Sequence, residues 1–399
     1  MEFNVLSLFD GCSGGQQALE RINKKVDTYY ASEIDKYAIT VTMANYPNTI
    51  QLGSVVDVDV SKLKPINLLI GGSPCQSFSF AGKRKGMSTK DNIEILTLEH
   101  YLELKEQKFE FEGQSYLFWE YIRILTDIIK YNPDVKFLLE NVIMGEKWQK
   151  ILTRAIGINP IEINSALVSA QNRRRLYWTN IGAEQDGLFG DLVCKILQPK
   201  DRGILLRDIL EPEVYEKYYL SGVALQYLNR TEMNKRFIQN DNDNKGACVT
   251  ANYCKGVPYN AIQIVAMRGR NPENPKSREP GLPTEQMLEL RNDGKTNCIT
   301  TVQKDNLVVH NMMPRSSKSG KGGTGHLTRQ DGKTYCLDTG NTNAIEKQSR
   351  IRRLTPLECE RLQTMKDGYT AHVSDSQRYK MIGNGFTIEV IAHIFSYLE

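Results

Sequence analysis

The 399-residue sequence has few of the residues from which metal sites and disulfide frameworks are built. It contains five histidines, and none of its eight cysteines stands in a CxxC pair, the usual sign of a zinc site or redox centre. It also has no secretory signal peptide and no apolar run long enough to cross a membrane. These absences predict a cytoplasmic protein without disulfides, without a metal site and without a membrane span.

An excess of charge of one sign is also absent. The 51 lysines and arginines are nearly balanced by 47 aspartates and glutamates, so the net charge is +4. This excess is too small to indicate a nucleic-acid partner by itself, and any basic surface must come from local clustering. The stretch 311–330, NMMPRSSKSGKGGTGHLTRQ, is such a cluster, with no acidic residue. It suits either a linker or a loop that lies against a phosphate backbone.

The first part of the chain alternates short apolar runs with helical patterns. Four of these runs end in glycine or a carboxylate: VLSLFDG, YYASE, NLLIGG and VKFLLE. Buried strands separated by helices such as LFWEYIRILTDIIKY predict an open parallel sheet with a site along the carboxyl ends of its strands. After about residue 182 the chain becomes rich in Asn, Gly, Thr, Lys and Pro, which indicates a second structural unit.

The loop after the first strand has the composition of a cofactor loop. Gly11, Gly14 and Gly15 follow a strand and open a helix, which lets the backbone approach a ligand closely. Glu33 ends the next strand, about twenty residues on, where a ribose diol requires a carboxylate. The pattern predicts a nucleotide or nucleoside without choosing between a dinucleotide and S-adenosylmethionine. Since DGCSGG matches GxGxxG poorly, a cofactor without a phosphate is favoured.

Cys75 stands in GGSPCQSFSFAGKRKG, a stretch rich in glycine and serine that a hydrophobic core would not favour. A lone cysteine is more often a small buried hydrophobe than a nucleophile. Pro74 restricts the backbone before it, and the basic residues that follow would favour the thiolate. From these residues alone, both interpretations stay open.

Taken together, six motifs resemble those of the cytosine-5 DNA methyltransferase family. In the family's order they are SLFDGCSGG, GGSPCQSFS, LLENV, QNRRRLYW, RLTPLECERLQ and GNGFTIEVIAHI. The first motif is similar to the vertebrate de novo methyltransferases, whereas the chain elsewhere is similar to the bacterial and phage enzymes. The resemblance covers residues 1 to about 182 and 351 to 399.

The resemblance implies an α/β architecture, with a Rossmann-like S-adenosylmethionine-dependent methyltransferase domain and a smaller, mostly β or irregular target-recognition domain. We expect the catalytic, cofactor-binding domain at 1–182, the target-recognition domain at 183–350, and a C-terminal segment at 351–399 whose final helix packs back on the catalytic domain. The implied activity is methyl transfer to carbon 5 of a cytosine flipped out of double-stranded DNA. The role of an insertion near residues 87–113 stays open.

Carbon 5 of cytosine is too weak a nucleophile to take a methyl group until the ring is activated by covalent attack at carbon 6. By resemblance Cys75 is the attacking thiolate. Glu140 is the acid that serves N3, a role for which its carboxyl must carry or share a proton. Arg175 holds the base oxygen, and Arg173 supports the substrate or a loop phosphate. Without the resemblance, Glu140 would be a strand-end carboxylate and QNRRR a solvated charge cluster.

The resemblance also implies S-adenosyl-L-methionine as the cofactor. Glu33 takes the ribose hydroxyls and Ile34 packs on the adenine. Ser54 stands where many family members have the acid that holds the adenine amino group, and Asp57 is a candidate substitute for it. The implied cofactor contacts are Phe9, Asp10, Gly11, Gly14, Glu33, Ile34, Val55, Leu117 and Asn384.

Three other functions are compatible with parts of the sequence. An enzyme of the same fold that methylates transfer RNA is one, although the long insert between the arginine motif and the late helix argues against that branch. A non-catalytic DNA-binding regulator would not need intact Cys75 and Glu140. A nicotinamide oxidoreductase would explain only the glycine loop. A monomer is the expected state, and a cognate restriction endonuclease is a candidate partner.

Overall fold

The computed structural model describes most of the N-terminal half of the chain, its C-terminal segment and several separate strands between them. The described residues are 2–74, 87–187, 190–205, 208–219, 265–270, 285–290, 309–311, 327–329, 334–335, 343–347 and 350–398. Cys75, the basic residues 83–85 that follow it, and most of the basic stretch 311–330 lie outside the described residues. In these ranges, no helix combines the length and the apolar character that a membrane crossing requires.

A seven-stranded sheet forms the centre of the molecule. The strands up to the arginine motif are β1 (Asn4–Leu8), β2 (Thr28–Ser32), β3 (Ile50–Gln51), β4 (Leu68–Gly72), β5 (Lys136–Val142), β6 (Ile161–Asn164), the short β7 (Gln171–Asn172) and β8 (Arg174–Thr179). The sheet order is β3-β2-β1-β4-β5-β8-β6. Its first five strands are parallel, as predicted, whereas β8 runs antiparallel to both β5 and β6. The arginine motif therefore enters the sheet as an antiparallel strand.

Helices cover both faces of this sheet. They are α1 (Gly14–Arg21), α2 (Lys36–Asn45), α3 (Leu98–Glu106), α4 (Phe118–Tyr131), α5 (Glu146–Ile156), α6 (Pro356–Leu362), α7 (Asp375–Asn384) and α8 (Ile388–Phe395). Side chains alternate across each strand, so neighbours in sequence enter different cores. In β4, Leu68 packs with residues of α1 and α8, whereas Leu69 packs with residues of α4 and α5. The result is the two-sided α/β architecture that the sequence predicts.

Between residues 183 and 353 the described residues form short strands. These are β9 (Ala183–Gln185), β10 (Leu192–Cys194), β11 (Val265–Arg270), β12 (Glu285–Leu290), β13 (Val309–Asn311), β14 (Leu327–Arg329), β15 (Thr334–Tyr335), β16 (Asn343–Lys347) and β17 (Arg350–Arg353). β9 pairs with β10, β11 pairs with β12, and a four-stranded sheet has the order β14-β13-β16-β17. β15 pairs in parallel with β7, which connects the middle of the chain to the arginine motif.

Candidate active site

Glu140 and Arg175 form an ion pair at the carboxyl edge of the central sheet. Glu140 lies in β5, in register with Gly72 of β4, and Arg175 lies in the neighbouring strand β8. Arg175 Nε is 3.0 Å from Glu140 Oε1, and the two side chains are only 9% and 12% exposed. Arg175 Nη1 also donates to the carbonyl of Arg174 at 2.9 Å. The structure thus brings together the two residues to which the family resemblance assigns the roles of acid and base-binding arginine.

Asn141 holds Ser73, which stands two residues before Cys75 in the sequence. Its Nδ2 donates to the Ser73 hydroxyl at 3.0 Å and to the Ser73 carbonyl at 3.3 Å, and its side chain is fully buried. Its Oδ1 accepts the Val142 N–H at 2.8 Å. Ser73 follows β4 directly and Cys75 comes two residues later, outside the described residues. Ser73 is therefore held in a fixed position beside the strand that carries Glu140.

Cys12, in the first glycine-rich loop, is a structural cysteine by contrast. It is 2% exposed, and Tyr369 donates from its hydroxyl to the Cys12 carbonyl at 2.7 Å. Burial raises the pKa of the Cys12 thiol to about 12, and the neighbouring Asp10 carboxylate adds to the shift. A thiol with such a pKa carries almost no thiolate near neutral pH. Its position next to the candidate site does not make it a nucleophile.

Phe386 is a site residue that sequence reasoning missed. A Cβ built on Gly72 would lie 3.1 Å from its ring, and a Cβ on Gly14 would lie 3.4 Å from it. The ring therefore fills the space that glycine leaves at the end of β4 and at the start of α1. The same Cβ on Gly72 would lie 3.5 Å from Glu140 Oε2. The sequence signal that could have identified Phe386 is the presence of an aromatic residue in the glycine-rich turn GNGFT.

Arg173 binds the turn around Asn384. Its Nη1 donates to the Gly383 carbonyl at 3.2 Å and its Nη2 to the Gly385 carbonyl at 3.0 Å, and the residue is 4% exposed. Gln363 Nε2 reinforces the Gly385 contact at 3.2 Å. These contacts direct the guanidinium at backbone carbonyls of the turn, and the expected contact of Arg173 with substrate or phosphate stays a prediction. In this structure Arg173 positions the turn, while Asn384 itself is exposed.

Glu33 connects the ends of β1 and β2. Its Oε2 accepts the Gly11 N–H at 2.8 Å, and its Oε1 accepts the N–H groups of Ile34 and Asp35 at 2.7 and 2.8 Å. Gly11 has a φ of 57°, which glycine adopts without strain. Ile34 is 70% exposed, so its apolar side chain is free to cover a ligand. The glycine loop and the carboxylate predicted to serve one cofactor thus lie together.

The remaining predicted cofactor residues lie on neighbouring segments. Val55 is buried in a single 3-10 turn, Val55–Asp57, and Leu117 ends another, Ser115–Leu117. The Ser54 hydroxyl accepts the Val56 N–H at 3.4 Å and so caps the first turn, while Asp57 is exposed. Phe9, directly before Asp10, has a φ of 56°. A non-glycine residue in this left-handed region is strained, and such strain concentrates at binding sites.

Asp10 is a buried carboxylate with an unused acceptor. Its Oδ1 accepts a hydrogen bond from the Tyr29 hydroxyl at 2.9 Å, and the residue is 6% exposed. Its Oδ2 has no hydrogen-bond partner among the described residues. Burial raises the pKa of Asp10 from 3.8 to about 6, although hydrogen bonds from hydroxyl groups oppose the shift. A carboxylate held in this way is ready to pair with a positively charged ligand group.

Replacing Asp10 with asparagine should flatten the dependence of stability on pH. Because the folded pKa, about 6, exceeds the unfolded value of 3.8, the folded state binds the proton more tightly. The contribution of Asp10 protonation to the free energy of unfolding is fully present below about pH 4. It is lost as pH rises through 6, a loss of about 3 kcal/mol. Urea denaturation at about pH 4.5 and pH 7.5 should show Asp10→Asn losing about 2 kcal/mol less than the wild type over that interval. Parallel profiles for the two proteins would contradict this.

The sheet is mostly parallel, with a glycine loop after β1, a carboxylate after β2 and an Arg–Glu pair at the end of β5. This combination defines a Rossmann-like methyltransferase. Residues 3–150 and 164–399 match the family of C-5 cytosine-specific DNA methylases. The orphan methyltransferase M.SPRI of Bacillus phage SPR is 30% identical over an alignment of 448 positions, which spans 100% of this chain and 97% of that protein. The chain belongs to the C-5 cytosine-specific DNA methylase family and is a sequence-specific DNA cytosine methyltransferase.

Further comparisons agree with the family and the fold. The type II methyltransferase M.NlaX of Neisseria lactamica is 25% identical over 395 residues, which cover 98% of this chain and 95% of that protein. The crystal structure of a Spodoptera frugiperda DNMT2 mutant has a TM-score of 0.52 at 16% identity, covering 100% of this chain and 99% of that one. The S. pombe Dnmt2 methyltransferase has a TM-score of 0.51 at 15% identity, with 100% and 98% covered. The two solved structures share the fold of this chain.

Proposed function

We propose that this enzyme uses S-adenosyl-L-methionine and a covalent bond from Cys75 to methylate carbon 5 of a cytosine flipped from double-stranded DNA. The observation that carries the proposal is the pairing of Arg175 with Glu140 at 3.0 Å, beside the strand that leads into Cys75. In the proposed site, the acid and the base-binding cation lie on the adjacent strands β5 and β8, and the proposed nucleophile follows the neighbouring strand β4 in the sequence. Asn141, Phe386 and Arg173 hold the surrounding turns.

The spacing of the ion pair suits one edge of cytosine. The base presents its O2 and N3 atoms side by side, O2 as an acceptor and N3 as the atom that gains a proton. A guanidinium and a carboxyl group about one hydrogen bond apart can therefore bind this edge together, Arg175 at O2 and Glu140 at N3. A flipped base is commonly recognised by hydrogen bonds to its Watson–Crick edge.

The reaction then follows from activation of the ring. The Cys75 thiolate forms a bond to carbon 6, the electrons of the C5–C6 double bond move through carbons 5 and 4 to N3, and Glu140 supplies a proton at N3. Carbon 5 becomes nucleophilic and takes the methyl group. Loss of the proton from carbon 5 to water or a weak base then breaks the carbon–sulfur bond and releases the thiolate. Glu140 takes back the N3 proton as the methylated ring forms, so Cys75 and Glu140 end the reaction cycle as they began it.

The residues at the ends of β1 and β2 fit the proposed cofactor. S-adenosylmethionine supplies an electrophilic methyl group on a positively charged sulfur. The unused Oδ2 of Asp10 suits its cationic end, and the exposed side chain of Ile34 suits its adenine. Glu33 lies where the ribose hydroxyls would need an acceptor. Val55, Leu117 and Asn384 would complete the pocket.

We also propose that residues 183–350 read the DNA sequence, with contacts from the basic stretch 311–330 and from residues 267–278. The enzyme would act as a monomer. The type II name of M.NlaX favours a cognate restriction endonuclease as partner, and the orphan name of M.SPRI favours its absence.

The proposal is tested by conversion-based sequencing of DNA from a methylation-deficient host that expresses the chain or its Cys75→Ser variant. Cytosines in one short motif should resist conversion only with the wild type. The Cys75→Ser variant should lose methyl transfer but should bind S-adenosylhomocysteine as the wild type does, since the cysteine lies outside the cofactor contacts. Methylation by the variant would overturn the covalent mechanism. An unmodified genome together with methylated transfer RNA would show that DNA is not the substrate.

A further inference from the structure

Residues 87–113 form a folded unit that the proposed reaction does not use. Met87 and Ile95 are fully buried. The Glu112 N–H donates to the Ser88 carbonyl at 2.9 Å, and the Lys90 N–H donates to the Glu110 carbonyl at 2.8 Å, so the two ends of the unit are held together. The unit begins at the first described residue after Cys75. It contains α3, which packs against α4.

A fully buried carboxylate joins this unit to the catalytic domain. Glu120, in α4, is 0% exposed. Its Oε1 accepts hydrogen bonds from the Tyr101 hydroxyl at 2.6 Å and from Lys105 Nζ at 2.5 Å, both from α3. Its Oε2 accepts Arg123 Nε at 2.6 Å. A buried charge is stable only when each oxygen has such partners, so α3 supplies half of what Glu120 needs.

Arg123 carries this network to the proposed cofactor pocket. Its Nη2 donates to the Val55 carbonyl at 3.3 Å and to the Val58 carbonyl at 3.1 Å. These carbonyls bracket the 3-10 turn that begins at Val55, and Arg123 Nη1 lies 3.6 Å from Asp127 at the outer side of α4. The guanidinium is therefore held between Glu120 and the backbone of the pocket wall. Its orientation depends on the Glu120 carboxylate staying where it is.

A second contact runs from the same unit to Leu117. The Tyr101 and Phe111 rings lie 5.3 Å apart, and Phe111 stacks on Tyr116 at 4.4 Å. Tyr116 directly precedes Leu117 in the turn that leads into α4. Two of the predicted cofactor residues, on separate segments, are thus supported by one unit.

We propose that residues 87–113 position the cofactor pocket, with Glu120 and Arg123 as the positioning residues that connect α3 to Val55. The proposal rests on the proposed use of S-adenosylmethionine. When Lys105 and Tyr101 no longer bind Oε1, this buried oxygen draws the Arg123 donors away from the Val55 and Val58 carbonyls, and the pocket wall loosens. The unit thereby influences cofactor affinity without touching the cofactor.

The test compares Lys105→Met and the double variant Tyr101→Phe/Lys105→Met with two controls. Lys150→Met removes an exposed ion pair to Glu146 on α5, and Lys90→Met removes an exposed ion pair to Glu110 within the unit itself. Calorimetric titration with S-adenosylhomocysteine, at a temperature where all variants are folded, gives the dissociation constant. Steady-state kinetics give KM for S-adenosylmethionine, KM for DNA and kcat.

The two α3 variants should weaken S-adenosylhomocysteine binding about tenfold, the size expected from one lost charge-assisted hydrogen bond. KM for the cofactor should rise in parallel, while KM for DNA and kcat at saturating cofactor stay near the wild type. Lys105→Arg should restore binding, and both controls should bind normally. Unchanged binding in the variants, or equal weakening in the controls, would overturn the proposal while the function stands. A wild type that does not bind S-adenosylhomocysteine would instead refute the proposed cofactor.

Discussion

Replacing Glu140 with glutamine should lower the rate of methyl transfer by about 10²- to 10⁴-fold, the range that a positioned acid or base contributes. Glutamine keeps the shape of the side chain and an acceptor for Arg175 Nε, but it cannot deliver a proton to N3. Single-turnover transfer of a labelled methyl group to DNA measures this rate directly. Binding of S-adenosylhomocysteine should be unchanged, because Glu140 is not among the cofactor contacts.

Glu162→Gln is the matched control for this variant. Glu162 also pairs with an arginine of β8, Arg174, but from the edge strand β6 and with 38% of its side chain exposed. An exposed ion pair of this kind contributes little, so the control should transfer methyl groups at nearly the wild-type rate. A Glu140→Gln enzyme as active as Glu162→Gln would remove Glu140 from the chemistry. Equal loss in both would indicate damage to the sheet edge instead.

Replacing Glu358 with glutamine should lower the free energy of unfolding by about 3–5 kcal/mol, the cost of leaving a buried charge unpaired. Glu358 is 0% exposed and binds both terminal nitrogens of Arg352 at 2.7 Å. It also accepts the N–H groups of Thr355 and Glu211 at 2.8 and 2.9 Å. Through these contacts Glu358, in α6, binds both β17 and the segment that contains Glu211. Urea denaturation measures the loss of stability, and faster hydrogen exchange in α6 would show that this helix is the part destabilised.

Two comparisons isolate the buried charge. Asp367→Asn breaks the ion pair with Arg361, in which Asp367 is 54% exposed, and should cost less than about 1 kcal/mol. The double variant Arg352→Met/Glu358→Met replaces the buried pair by apolar groups and should recover much of the stability, since no charge is left unpaired. A Glu358→Gln protein as stable as Asp367→Asn would contradict the prediction.

Much of the fold could be predicted from the sequence because its signals are local. The apolar runs that end in glycine or carboxylate predicted the parallel strands β1, β2, β4 and β5, since a strand buried on both faces reads as continuous apolar sequence. Thr355, a capping residue, and Pro356, at the first helical position, are local signals for the start of α6, and the structure shows the complete capping box with Glu358. The antiparallel course of β8 was not predicted, because no local pattern encodes the direction of a strand.

The sequence by itself determined the kinds of residue at the site and the family to which they belong. Motif order and residue type are properties of the chain, so Glu33, Glu140 and Arg175 could be named without coordinates. The tertiary structure decided which of these groups meet and what each one contacts. Arg173 binds the turn at Asn384, and Arg123 reaches the Val55 carbonyl, because folding places residues distant in sequence within hydrogen-bond reach. Such contacts depend on packing between separate elements, and no spacing along the chain records them.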